Sequence, residues 1–126
     1  FRTGYVNSGK PVVVERDGAG HADRRAMIET ITSKNGVTIR LTDERWTHIT
    51  EEHCELAGLR NEVLEAVSRP ERIFAGGDGE LLAVREREPD KHMVVVYREL
   101  DDDGFIITAF VTSQVRSLAK RKQLWP

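Results

Sequence analysis

From Glu80 to Ser113 the chain alternates between apolar runs and polar punctuation: ELLAVRERE, KHMVVVYREL and GFIITAFVTS. Glu88-Pro89-Asp90 separates the first two runs, and Asp101-Asp102-Asp103-Gly104 separates the last two. Runs rich in Val, Ile, Phe and Tyr between such turn residues predict a meander of antiparallel strands. Arg72-Ile73-Phe74-Ala75 predicts one more strand before them, turned into the meander by Gly76-Gly77-Asp78-Gly79.

Upstream the period changes. Val37 to Leu41 alternates as a short strand, and Thr42 is a good N-cap, with Asp43 and Glu44 in the first helical turn. Trp46 and Ile49 then mark one face of a helix running to about Glu52. A second helix is predicted from about Leu56 to Val67, with Leu59, Val63, Leu64 and Val67 on one side, and Ser68-Arg69-Pro70 stops it. Nearer the start, Pro11 to Glu15 suits a short strand and Asp17-Gly18-Ala19-Gly20 a break. His21 to Ser33, with Ala22, Met27, Ile28 and Ile31 as a partial stripe, is expected to be a helix ended by Asn35-Gly36. The fold expected is therefore α+β: two N-terminal helices followed by a four-stranded antiparallel sheet over residues 37–126, with residues 1–36 as an N-terminal extension.

Register assigns faces. Folding the second hairpin about its Asp-rich loop pairs Leu100 with Phe105, and hence Tyr97 with Thr108 and Met93 with Thr112. Folding the first pairs Arg87 with Lys91 and Arg85 with Met93. Arg85, Arg87, Lys91, Tyr97, Thr108 and Thr112 then share one face. Leu82, Val84, Val94, Val96, Ile107, Ala109 and Val111 form the core on the other, and a slip of one residue exchanges the two sets. Arginines, a tyrosine and threonines within reach of one another suit the binding of phosphates. The same residues also describe the solvated outer face of an ordinary antiparallel sheet.

Composition narrows the classes. At 126 residues, with 39% hydrophobic and 32% charged residues, the chain suits one globular domain. No apolar run approaches the roughly 18 residues a membrane span requires. No signal-peptide pattern opens the chain, which begins at Phe1 rather than methionine. The single Cys54 has no intrachain partner, and one Cys with four scattered His gives no zinc pattern. His48 and His53 would lie about 140° apart around a helix, which argues against a paired metal site. Proteins that grip nucleic acid through phosphates are usually more basic, so the net charge of −2 counts mildly against a nuclease. Negative charge is nevertheless concentrated in Asp101–Asp103 and around Glu51–Glu55, while Lys120, Arg121 and Lys122 cluster near the end.

LTDERWTHITEEH, SRPERI, LLAVRE, VVVYRE and IITAFVTS, taken in that order, resemble the small phage-associated nucleases grouped with barnase, EndoU, the tRNase colicins and RelE (the BECR-like nucleases). The resemblance covers about Val37 to Pro126 and rests mostly on single residues at variable spacing. It implies a metal-independent bacterial endoribonuclease, without cofactor, that activates a ribose 2′-hydroxyl against the adjacent phosphate and acts as a toxin or effector. The matching positions are His53, Arg85, Tyr97 and Thr112 as catalytic residues. His48, Arg87, Arg98 and Thr108 are secondary candidates on the substrate, and Lys120 and Lys122 are candidates to track an RNA backbone. Where the family carries His-Pro-Glu-Leu, this chain has His53-Cys54-Glu55-Leu56. The implied partners are an RNA substrate (tRNA or mRNA) and a cognate antitoxin or immunity protein, with no membrane. The implied location is the cytoplasm, either of the producing cell or of a target cell. A non-catalytic RNA- or protein-binding module on the same scaffold, and an immunity-like protein with an exposed acidic loop, are the alternatives.

Overall fold

The computed structural model describes residues 12–15 and 27–126. In chain order these form strands β1 (Val12–Glu15), β2 (Met27–Thr32) and β3 (Thr38–Thr42), then helices α1 (Asp43–Glu52) and α2 (Arg60–Ser68) with a 3-10 turn at Cys54–Leu56 between them. Strands β4 (Arg72–Ala75), β5 (Leu81–Glu88), β6 (Lys91–Glu99) and β7 (Asp103–Thr112) follow, then a second 3-10 turn (Val115–Lys120) and β8 (Gln123–Trp125).

The four strands between Arg72 and Thr112 are only the middle of the sheet. Among the described residues it has eight strands in the order β1-β2-β3-β7-β6-β5-β4-β8. This corrects the expectation of two helices followed by a four-stranded antiparallel sheet. The sheet is mixed, because β3 runs parallel to the first residues of β7, pairing Thr38 with Asp103 and Arg40 with Phe105. All its other pairings are antiparallel.

Two local readings account for the difference. Met27–Thr32 is a strand rather than the end of a helix, and it pairs with β3 from Ile28↔Thr42 to Thr32↔Thr38. Ile28 and Ile31 sit three apart, a spacing that suits a helix, but β-branched Ile28, Thr30, Ile31 and Thr32 fit a pleated surface better once β3 offers an edge. The remainder of that predicted helix, and the Asp17–Gly20 break, lie outside the described residues. The boundary drawn at residue 36 therefore falls inside the turn joining two strands of one sheet. At the other end Gln123–Trp125, just beyond the Lys120–Lys122 cluster, adds β8 beside β4 through Ile73↔Trp125.

The helices follow their signals. Thr42 is the N-cap of α1, its Oγ1 accepting from the Arg45 N–H at 3.0 Å. In α2, Val63, Leu64, Ala66 and Val67 are all fully buried, a one-sided apolar stripe. That stripe packs on β2, β5 and β6. Arg60, at the start of α2, pairs with Glu29 on β2 and Asp43 on α1, so charges join the three elements where the apolar stripe ends.

The sheet thus separates two apolar clusters. The face under the helices carries Ala83, Met93, Val95, Tyr97, Ile106 and Ala109. The opposite face carries Phe74, Leu82, Val84 and Val94, covered by Leu118 with Val115 from the second 3-10 turn.

Candidate functional site

Register decides which side chains meet. In the first hairpin Arg85 lies opposite Met93, as expected, but Lys91 faces Glu88 instead of Arg87 because the ladder shifts after Glu86. Pro89 and Asp90 make the turn, with Asp90 at φ 70°, the left-handed conformation of a type II corner.

The second hairpin departs further. Tyr97 pairs with Ile106, whereas its neighbour Val96 pairs with Thr108, so Ile107 is the extra residue of a bulge. Beyond the bulge every partner is displaced by one from the predicted register, giving Met93↔Val111 and His92↔Thr112. Thr108 and Thr112 therefore leave the face of Arg85 and Tyr97 and join Val94, Val96 and His92 on the other side. The predicted single face of Arg85, Tyr97, Thr108 and Thr112 is thereby corrected.

Arg85 and Arg87 project toward α2. The Arg85 Nη1 donates to the carbonyl of Arg69, the C-cap of α2, at 2.7 Å, and its Nη2 lies 3.9 Å from Glu65. A cation at that end of a helix meets the negative pole of the backbone dipoles. Arg87 Nε donates to Glu62 at 2.8 Å, and burial counts for less there than that bond, which holds the guanidinium pKa up. The groove they line, about 510 Å³, also presents Glu62, Glu65, Glu86 and Glu88. Four carboxylates against two guanidiniums make it a poor cradle for a phosphate.

Tyr97 is 0% exposed. Its hydroxyl has no hydrogen-bond partner, and burial, with the Glu99 charge second, pushes the phenol well above its ordinary range. Leu81, opposite Tyr97, precedes Arg85 by four residues, so the two positions stand about 13 Å apart along the ladder. They do not form one clamp.

His53 occupies a different place. It is the C-cap of α1, its N–H donating to the Ile49 carbonyl at 2.8 Å. Its carbonyl accepts from Leu56, so the turn after the helix is built without the proline that the resemblance leads one to expect. β3 pairs with β7 only as far as Phe105, and α1 and the first 3-10 turn pack beside the rest of β7. There the imidazole, one-third exposed, stands 6.1 Å from the Phe110 ring and 3.7 Å from Glu55. Phe110 and Thr112 alternate onto the same face of β7. The Thr112 Oγ1 accepts from the Gln114 N–H at 2.9 Å, which leaves its proton to be donated.

The secondary candidates divide. His48 is exposed on α1 and pairs with Glu52 at 3.6 Å, away from the sheet. Arg98 donates to the Asp78 carbonyl at 2.8 Å and braces the β4–β5 turn. The Thr108 hydroxyl is buried without a partner. Lys120 and Lys122 are exposed, and with Arg116 and Arg121 they give residues 113–126 four cations and no carboxylate. None of those four is paired among the described residues, unlike Arg40, Arg60, Arg85 and Arg87, which all have carboxylate partners. Sequence reasoning missed His92. An alternation count alone put it opposite Ser113, and only the bulge at Ile107 sets it beside Thr112.

Among the described residues no three His, Cys, Asp or Glu side chains gather as metal ligands. Among the described residues no helix is long and apolar enough to cross a membrane. Comparison of the chain with protein-family models, with curated proteins and with solved structures found no match.

Proposed function

We propose that this protein is an endoribonuclease that works without a metal ion, its substrate lying on the sheet face away from the helices. The observation that carries this reading is the one-third-exposed imidazole of His53 beside Phe110, on the strand that also presents Thr112, next to a segment whose four cations have no carboxylate partner among the described residues. The resemblance to the barnase, EndoU, colicin and RelE group supports the same reaction.

His53 takes the proton of a ribose 2′-hydroxyl. The O2′–P bond then forms as the O5′–P bond breaks, giving a 2′,3′-cyclic phosphate, and the departing 5′-oxygen takes up a proton. Imidazole suits both proton transfers because its charge changes near neutral pH. Thr112 donates to a phosphate oxygen, and Phe110 offers a ring on which a base stacks. Arg85 and Tyr97 stabilise the fold in this reading. Substrate in the cytoplasm and a toxin role, with an antitoxin that covers the Phe110–Thr112 surface, complete the proposal.

The test is incubation of the protein with tRNA and with a long unstructured RNA in EDTA, beside His53→Ala and Thr112→Val. Cleavage lost with His53→Ala and reduced by Thr112→Val is expected. A second reading, a binding module on the same scaffold, is favoured by the engagement of Arg85 and Arg87 with glutamates. RNA bound but uncut would decide for it.

A further inference from the structure

Between the β5–β6 turn and the second 3-10 turn lies a pocket of about 400 Å³, lined by Asp90, His92, Ser113, Arg116 and Ser117 among others. We infer that this pocket is a phosphate subsite, taking a backbone phosphodiester of a bound polynucleotide next to the one at Thr112. It rests on the proposed function for the choice of a polynucleotide as the source of the phosphate and for the role of Thr112.

Three observations converge. His92 pairs directly with Thr112 across the β6–β7 ladder, so the pocket adjoins the hydroxyl already assigned to the substrate. Opposed residues on one face lie about 5 Å apart. His92 lines the pocket, and its Nδ1 is buried without a hydrogen-bond partner among the described residues. Arg116 lines the pocket, is exposed, and has no carboxylate partner among the described residues. Ser113 adds a hydroxyl, while the Ser117 hydroxyl donates to the Gln114 carbonyl at 2.9 Å and keeps its lone pairs.

A guanidinium, an imidazole and a serine hydroxyl are donors suited to an anion, and Arg116 can engage two oxygens at once. Lys120, Arg121 and Lys122 continue the positive charge along the chain from the pocket. Two carboxylates oppose an anion here: Asp90 at the rim, and Glu86, which pairs with His92 across the β5–β6 ladder. The position of Asp90 at φ 70° is tolerated by asparagine, so Asp90→Asn removes the charge and retains the turn.

The experiment titrates a fluorescent 2′-deoxy oligonucleotide, which this chemistry cannot cleave, into the full chain at several salt concentrations. Arg116→Gln, His92→Gln and Asp90→Asn are compared with Arg45→Gln, which removes an exposed cation on α1 that has no carboxylate partner among the described residues. Each variant is first shown to melt like the parent. We expect Arg116→Gln to weaken binding about tenfold and to lower the salt slope by about 0.7. His92→Gln weakens binding, Asp90→Asn tightens it, and Arg45→Gln leaves it unchanged.

Equal effects of Arg116→Gln and Arg45→Gln would overturn the inference, as would an oligonucleotide that does not bind at low salt. Orthophosphate is run in parallel. If it binds with the Arg116 dependence and the oligonucleotide does not, the pocket takes a free phosphate and the polynucleotide assignment falls. Binding through Arg116 in a protein that leaves RNA uncut keeps the subsite and removes the nuclease.

Discussion

Thr112 stands opposite His92 on the face of the sheet away from the helices, while Arg85 stands opposite Met93 on the face beneath them. Residues that a simple hairpin count joins are thus divided by the thickness of the sheet. Loss of Thr112 and loss of Arg85 should consequently have different signatures. Thr112→Val is expected to reduce RNA cleavage at least tenfold while costing only about 0.5–1.5 kcal/mol of stability, through the hydrogen bond lost from the Gln114 N–H. Initial rates and thermal melts on the same samples check this.

Arg85→Ala should act on stability. It removes a charged donor from the Arg69 carbonyl and a partner from Glu65, at a half-exposed site where such contacts are worth about 0.5–1.5 kcal/mol. Urea unfolding should show a lower midpoint, with cleavage per folded molecule kept within about twofold. A hundredfold loss of cleavage at unchanged stability would return Arg85 to the site.

Tyr97→Phe separates a catalytic phenol from a packed ring. The hydroxyl is enclosed without a partner, an arrangement costing about 1–3 kcal/mol, so its removal should leave stability unchanged or raise it. The pH dependence has a definite sign. The folded phenol titrates above the unfolded one, so its contribution to stability is whole below the unfolded value near pH 10 and declines as pH rises beyond it. Unfolding midpoints between pH 8 and 11 should fall less steeply in Tyr97→Phe than in the parent. An identical alkaline slope would contradict this account.

Glu80 gives the acid counterpart. Backbone N–H groups of the β4–β5 turn, including its own and that of Asp78, hold its carboxyl below the ordinary range. A lowered folded pKa means that the contribution is present above the unfolded value and is lost as pH falls through the folded one. Glu80→Gln should flatten the decline in melting temperature below about pH 4.5. The carboxyl is open to solvent, so the effect is small.

Gly104 is buried where β7 lies between β3 and β6, and a methyl group there would overlap the Arg98 carbonyl and crowd Ile39. Gly104→Ala is expected to cost about 1–3 kcal/mol, measured by urea unfolding, as overpacking does in a filled core.

The readable parts of the sequence are those with local causes. Thr42 with Asp43 and Glu44 marks the start of α1, and the stripe of Val63, Leu64 and Val67 marks α2, because cap and periodicity act within a few residues. β4 to β7 were visible as β-branched runs between turn residues. The Ile107 bulge was not, since nothing in GFIITAFVTS distinguishes an unpaired residue from a paired one; the turn alone would have to fix the register. β2 escaped because Met27, Ile28 and Ile31 suit either period until a partner strand is known. Among the site candidates, His53 came from the resemblance, and the expected end of α1 near Glu52 placed it just after a helix. His92 was not one of them, because its neighbour Thr112 depends on the bulge.

The parallel contact of β3 with β7 has a consequence for the order in which the protein is made. β3 emerges from the ribosome about sixty residues before the strand that will hold it, and α1, α2 and three strands must be synthesised in between. Until then its edge toward β7 offers bare amide and carbonyl groups to any extended chain nearby. Closing so long a loop is slow, and the nascent chain is open to strand-swapped pairing meanwhile. Asp103, which pairs with Thr38 and also takes the Arg40 guanidinium, is where that exposure ends.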